Sequence, residues 1–144
     1  MEKYSRVKAL ISLDAVEYNF EQMKKNIKEG TKIGAVIKAD AYGHGAVPIA
    51  RMIQEYDYIW GFATATAQEA LQLRRAGIRK PVLVIGLVFE EYYEKLVENE
   101  IRMAVCDYET ARKFDEAAKK KGKKGLIHLA VDTGMTRIGF KDDK

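Results

Sequence analysis

Short apolar strands and amphipathic helices alternate along this chain at a nearly constant spacing, and this alternation constrains the fold more than any other feature. Apolar runs end near residues 37, 63, 85, 105 and 131, which are 26, 22, 20 and 26 residues apart. The residues between successive runs carry the apolar spacing of a helix. Buried strands joined by helices are typical of βαβ units, so the sequence predicts an α/β fold with a parallel sheet.

Two architectures satisfy this spacing. One is an open, doubly wound sheet such as that of flavodoxin, and the other is a partial (β/α)8 barrel of the TIM type. A complete barrel needs about 250 residues, whereas the chain has 144. No GxGxxG motif follows the first buried strand, which weakens the case for a dinucleotide-binding fold. The pattern by itself does not choose between the two architectures.

The N-terminal segment is expected to precede the repeating units. Residues 7–13 alternate loosely between apolar and polar side chains, so we expect residues 1–13 to include a leading strand and residues 14–144 to form the incomplete barrel. Asp14 with Glu17, and Thr66 with Glu69, have the spacing of capping boxes at the starts of two helices.

Composition and charge exclude several classes of protein. The single cysteine, Cys106, cannot form an intramolecular disulfide and suits a reducing compartment. The apolar runs are far shorter than the roughly 20 residues that span a bilayer, and no secretory signal is recognisable. Five lysines within residues 119–124 account for the net charge of +4, since without them the chain carries −1. We therefore expect a cytoplasmic protein that binds neither membranes nor nucleic acid.

Lys38 is the first candidate for chemistry, because it directly follows the buried run IGAVI. Sites in parallel α/β folds lie at the carboxyl ends of the strands. Partial burial there favours a neutral, nucleophilic amine, although a lysine whose stem packs on the rim is the structural alternative. Tyr42 follows in a glycine-rich loop and can donate its hydroxyl to a phosphate. His44 is interpreted as a structural hydrogen-bonding residue.

A second group of polar residues follows the fifth predicted strand. Asp132 and Thr133 lie where this strand becomes a loop, and Arg137 offers a planar guanidinium suited to a carboxylate or a phenolate. In a barrel, this loop and the Lys38 loop would open on the same face. The sequence contains no CxxC or HExxH motif, so we expect no metal site. Cys106 is interpreted as a core residue.

Two segments closely resemble the signatures of bacterial alanine racemases. The segment AVIKADAYGHG, residues 35–45, resembles the attachment motif for pyridoxal 5'-phosphate, and DTGMTRIG, residues 132–139, resembles the second signature. The resemblance implies that Lys38 holds the cofactor as a Schiff base and acts as the base on the D-alanine side. It also implies that Tyr42 lies near the cofactor phosphate and that Arg137 binds the cofactor phenolic oxygen and the substrate carboxylate.

The resemblance also sets expectations for the whole protein. Complete family members close an eight-stranded barrel and add a C-terminal β-domain, and a tyrosine from the partner subunit of a homodimer is the opposite base. The chain would thus be the N-terminal part of an enzyme that makes D-alanine for peptidoglycan, inactive as a fragment. A racemase of another amino acid, such as serine, and a non-catalytic half-barrel that binds pyridoxal phosphate are the alternatives.

One position departs from the family pattern and yields a test. Many family members carry a carbamylated lysine seven residues before the arginine, where this chain has Ala130. Alanine has no amine to carbamylate, so we expect added bicarbonate to leave racemase activity unchanged in a dialysed preparation. Bicarbonate-dependent activity, together with a carbamate found on a neighbouring lysine, would contradict this prediction.

Overall fold

Five parallel strands form one sheet in the order β1-β2-β3-β4-β5, within residues 7–141, which are the residues that the computed structural model describes. The strands are β1 (Ile33–Val36), β2 (Ile59–Thr64), β3 (Val82–Val84), β4 (Arg102–Val105) and β5 (Ile127–Leu129). The helical elements are α1 (Leu13–Lys25), α2 (Lys38–Tyr42), α3 (Ala46–Ile53), α4 (Ala67–Arg75), α5 (Tyr93–Glu98) and α6 (Tyr108–Lys120), and a 3-10 turn (Glu90–Tyr92) precedes α5.

The strand order decides between the two predicted architectures. Each strand pairs in parallel with the next one along the chain. An open sheet of the flavodoxin type would instead place its second strand outside its first. Consecutive parallel pairing is the winding of a (β/α)8 barrel. The chain therefore forms five consecutive strands of such a barrel, as the second interpretation predicted.

Helices cover one face of the sheet, and this face forms the core. Phe62, Val82, Val84, Met103 and Val105 point to that face, and none of these side chains has measurable solvent exposure. The pairing of Phe62 with Val82 and of Val84 with Met103 keeps them on the same side of the sheet. Apolar side chains buried on a parallel sheet stabilise it by roughly 1.5–3 kcal/mol each. The sheet is thereby fixed to the layer of helices.

The predicted leading strand is wrong in the described part of the chain. Residues 7–12 form no strand, and α1 begins at Leu13 because the Ser12 hydroxyl accepts a hydrogen bond from Ala15 N. Leu10 is 93% exposed, so the loose alternation buries no apolar face. Residues 1–6 lie outside the described residues. The Asp14–Glu17 capping box is also wrong, since Glu17 instead accepts a hydrogen bond from the Tyr56 hydroxyl.

The second predicted capping box is confirmed. Thr66 Oγ1 accepts a hydrogen bond from Glu69 N, and the Glu69 carboxylate accepts one from Thr66 N. Asp107 likewise caps α6 by accepting a hydrogen bond from Thr110 N. Both caps lie directly after a strand, so they fix where β2 and β4 turn into their helices. None of the helices within residues 7–141 combines the length and the apolar character needed to cross a bilayer.

Three side chains form a polar and aromatic cluster on the sheet face opposite the helices. The guanidinium of Arg102 lies 5.6 Å from the centre of the Trp60 ring. The centre of the His128 ring lies 5.5 Å from the centre of the Trp60 ring. Arg102 Nε is buried without a hydrogen-bond partner among the described residues. Burial, together with the charge of Arg102, lowers the pKa of His128. His128 is therefore held in its neutral form.

This cluster predicts a pH dependence of stability. Because the pKa of His128 is lower in the folded protein, the unfolded chain takes up its proton first as the pH falls below about 6.5. The free energy of unfolding should decrease from pH 7.5 to 5.5, by at most about 1.4 kcal/mol per pH unit. Urea titrations at several pH values across this range measure the free energy of unfolding.

A pair of variants isolates the contribution of His128. His128→Gln should flatten the dependence, whereas His44→Gln, which changes the second histidine of the chain, should retain it. A slope that His128→Gln leaves unchanged would assign the effect to other groups.

Candidate functional site

The chain turns in an unusual left-handed conformation immediately after β1. The backbone φ angles of Ala39, Asp40, Ala41 and Tyr42 are 49°, 52°, 53° and 56°, and Gly43 follows at 86°. A left-handed conformation costs about 1–2 kcal/mol for each residue other than glycine, so these four residues cost about 4–8 kcal/mol in total. Such strain persists only where surrounding contacts impose it, and it is typical of functional sites.

Hydrogen bonds at both ends of this turn offset the strain. At its start, Ala41 N donates to Ile37 O at 2.9 Å, and Ala39 N donates to Glu69 Oε1 at 2.7 Å. At its end, Asp40 accepts from Gly45 N at its carbonyl oxygen and from Ala46 N at its carboxylate, both at 2.8 Å. The left-handed turn, residues 38–43, is thus tied to α3 and to the N-terminus of α4.

The left-handed turn brings Lys38 and Tyr42 together. Lys38 Nζ lies 5.9 Å from the centre of the Tyr42 ring, within the range of a weak cation–π contact. Tyr42 is 60% exposed, and its hydroxyl has no hydrogen-bond partner within residues 7–141. His44 instead contacts the turn itself, with Nδ1 lying 3.0 Å from Ala41 O. This position agrees with the structural role that was predicted for His44.

Asp132 organises the loop that carries Arg137. Its Oδ1 accepts hydrogen bonds from Gly134 N at 3.0 Å and Thr136 N at 2.8 Å. These two bonds hold the pKa of Asp132 below its usual value, so the carboxylate stays ionised. The loop closes where Asp132 N donates to Phe140 O and Phe140 N donates to Ala130 O. Asp132 therefore shapes the loop rather than pointing a carboxylate at a ligand.

The two sequence motifs line one cavity of about 250 Å³ at the carboxyl ends of the strands. The left-handed turn contributes Lys38 to this cavity, and the loop after β5 contributes Arg137 and Ile138. The expectation that both motifs open on the same face is confirmed. An amine and a guanidinium in one cavity suit a ligand that carries an aldehyde and anionic groups.

The cavity floor contains a residue that the sequence interpretation missed. Gly86, together with Ala65 and Ile85, completes the lining. A Cβ added at Gly86 would lie 2.3 Å from Ala65 O, so only glycine allows the two loops to approach this closely. A glycine after the third predicted strand was the available signal, but a glycine in a loop is too common to be specific.

The Arg137 guanidinium is available for a ligand. It is exposed, and no hydrogen bond or ion pair engages it within residues 7–141. Ala130, seven residues earlier, accepts a hydrogen bond from Phe140 N through its carbonyl, and its methyl side chain offers no acceptor. Arg137 is thus positioned by the fold of its loop and not by a charged side chain at position 130.

The remaining candidates play structural parts. Cys106 is half-buried beyond the end of β4 rather than in the core, and its thiol contacts Asp107 Oδ2 at 3.6 Å. Burial raises the pKa of Cys106, which disfavours a nucleophilic thiolate. No group of three or more histidine, cysteine or acidic side chains within residues 7–141 is arranged to hold a metal ion.

Comparisons with known proteins extend over nearly the whole chain. Residues 11–144 match the family model described as alanine racemase, N-terminal domain. The chain is 44% identical over 136 residues to an alanine racemase of Clostridium tetani, covering 94% of this chain and 35% of that protein. The solved structure of an alanine racemase from Clostridium difficile 630 superposes with a TM-score of 0.89 at 41% identity.

A further solved structure broadens the comparison. A histidine racemase from Leuconostoc mesenteroides superposes with a TM-score of 0.80 at 33% identity. The match to the Clostridium difficile structure covers 93% of this chain and 35% of that structure. The match to the histidine racemase covers 91% of this chain and 35% of that structure. The chain thus spans about a third of the length of the relatives it matches. By its matched residues and its five-stranded part of a barrel, the chain belongs to the alanine racemase N-terminal domain family.

Proposed function

We propose that this chain is the N-terminal part of a pyridoxal-phosphate-dependent alanine racemase that interconverts L- and D-alanine. The observation that carries the proposal is the shared cavity, which is lined by both Lys38 and Arg137. Family membership supports the same reaction. Since the chain spans about a third of its relatives, the activity belongs to the longer protein and we expect none from residues 1–144 by themselves.

The side chains present suit pyridoxal phosphate. Lys38 is half-buried and would offer its amine for a covalent link to the aldehyde carbon, and the Tyr42 hydroxyl is free among the described residues to donate to a phosphate oxygen. Gly86 adds no side chain to the cavity floor, where a Cβ would lie 2.3 Å from Ala65 O. Arg137 supplies a fixed positive charge that favours an anionic oxygen. These residues would hold the cofactor at the carboxyl ends of β1 and β5.

In the proposed reaction the cofactor makes the α-proton acidic, and residues of the chain bind the substrate and move the proton. The bound cofactor withdraws electrons from the substrate α-carbon and makes its proton acidic. Lys38 Nζ would remove or return the α-proton on the face used for D-alanine. Arg137 holds the substrate carboxylate, so the α-carbon stays within reach of Lys38. A tyrosine from the partner subunit of a homodimer would serve the opposite face.

The proposed setting follows from the product. D-alanine is needed for peptidoglycan, and we propose that the enzyme supplies it in the cytoplasm. The single cysteine of the chain suits that reducing compartment. We further propose that the protein contacts its substrate and its own second copy, and neither nucleic acid nor membranes.

A racemase of another amino acid is the second candidate. The 33% identity to the histidine racemase is close to the 34% identity to an alanine racemase from E. faecalis. The sequence of this chain therefore discriminates little between the possible substrates. Racemisation assays of the full-length protein with alanine, serine and histidine separate the candidates, and we expect alanine to give the highest kcat/KM.

Labelling of Lys38 tests the proposed attachment site. The full-length protein is incubated with pyridoxal phosphate, reduced with borohydride and digested, and the peptides are mapped by mass spectrometry. We expect the label on Lys38, and we expect Lys38→Arg to lose both the label and about 10²–10⁴-fold or more of the racemase activity. Lys113→Arg, a matched change at a surface lysine paired with Glu90, should lose neither. A label on another lysine, with Lys38 unmodified, would contradict the proposal.

The loop that carries Arg137 gives a second test. Asp132→Ala removes the acceptor of two backbone hydrogen bonds, so Arg137 should be held less firmly. We expect the KM for alanine to rise about 2- to 10-fold, the range that corresponds to one net hydrogen bond. Asp132→Asn keeps an acceptor oxygen and should stay near the original KM. Equal effects of the two substitutions would show that the hydrogen bonds do not matter for binding.

A further inference from the structure

Glu69 connects two elements that the sequence gives no reason to associate. Its Oε2 accepts hydrogen bonds from Ala65 N at 2.8 Å and from Thr66 N at 3.1 Å, at the start of α4. Its Oε1 accepts from Ala39 N at 2.7 Å, thirty residues away in the left-handed turn. Both carboxylate oxygens are therefore engaged, one on each element.

The capping box explains only half of this arrangement. A capping box needs one acceptor oxygen at the third helical position, and glutamine serves there as well as glutamate. The bond to Ala39 N needs the second oxygen. An amide cannot supply both, because its NH2 group would face one of the backbone N–H donors. The geometry thus requires a carboxylate at position 69 for a reason other than helix capping.

The bond to Ala39 acts at the point where strain begins. Ala39 is the first of four consecutive residues other than glycine with positive φ, and Lys38 is the residue before it. The other bonds that hold the turn come from its own neighbours, Ile37 and Asp40 among them. Glu69 alone among the described side chains ties the start of the turn to a different βα unit. Since Ala65 also lines the cavity, the same carboxylate anchors two of its walls.

We propose that Glu69 is a positioning residue for Lys38. Its carboxylate fastens the start of the left-handed turn to the N-terminus of α4 and so holds the Lys38 amine in the cavity shared with Arg137. The inference deepens the proposed function and rests on it, because it concerns how Lys38 is presented to pyridoxal phosphate.

Two substitutions in the full-length protein separate positioning from helix capping. Glu69→Gln can keep its amide oxygen on the Thr66 side and so retain the capping box, but it then presents an NH2 group instead of an acceptor to Ala39 N. Thr66→Val, the matched control, removes the helix cap and leaves the bond between Glu69 and Ala39 N in place. Both variants should lower the melting temperature. A second substitution, Glu69→Asp, keeps the charge but shortens the reach by one methylene, and it serves if Glu69→Gln fails to fold.

Hydrogen exchange measures the anchor without reference to the cofactor. In peptides that cover residues 38–42, we expect the Ala39 amide to exchange at least about tenfold faster in Glu69→Gln, as expected for a lost hydrogen bond to a charged group. In Thr66→Val its rate should stay within about twofold of the original. Unchanged exchange in both Glu69 variants would overturn the proposal.

Cofactor binding measures the consequence for Lys38. We expect Glu69→Gln to raise the dissociation constant for pyridoxal phosphate at least about tenfold and to slow borohydride-trapped labelling of Lys38, while Thr66→Val changes neither by more than about twofold. Faster exchange of Ala39 with unchanged labelling would overturn the positioning role. Absence of label in the unsubstituted protein would overturn the proposed function as well, so the two failures are distinguishable.

Discussion

The burial of one sheet face against helices is the constraint on which the rest of this structure depends. Side chains such as Phe62, Val82 and Met103 are shielded from water only if every strand enters from the same direction and every helix returns on the same side. Consecutive parallel pairing satisfies that requirement with short connections. All carboxyl ends of the strands then meet at one edge, and the loops that follow β1 and β5 can form a common cavity.

Local strain at this edge is offset by contacts from elsewhere in the fold. The left-handed turn after β1 is unfavourable for Ala39, Asp40 and Ala41 by themselves. Glu69 and Asp40 supply acceptors on its two sides, and Ala41 within the turn is buried. The result is a rigid element that presents Lys38 and Tyr42 together. The loop after β5 follows the same principle, since Asp132 fixes its backbone and leaves Arg137 exposed.

Two local patterns show why some expectations succeeded and others did not. Thr66 with Glu69 was predicted correctly because a capping box depends only on residues three apart and on a helix whose apolar face is clear. The strand predicted over residues 7–13 was wrong because alternating apolar and polar side chains stabilise a strand only when a neighbouring face buries the apolar ones. Ser12 instead caps α1, which begins at Leu13. The spacing of the strands left two architectures open, and the pairing order separated them.

The sequence by itself determined the order of the strands and helices, the capping of α4, and Lys38, Tyr42 and Arg137 as candidates, because these depend on periodicity, short spacing and recognisable motifs. Only the tertiary structure decided that the left-handed turn exists, that Gly86 must approach Ala65, and that Glu69 bridges two βα units. The approach of Gly86 to Ala65 and the bond between Glu69 and Ala39 join residues 21 and 30 positions apart, and the same Glu69 bond adds to the local bonds that hold the turn. No local pattern encodes such distant pairs.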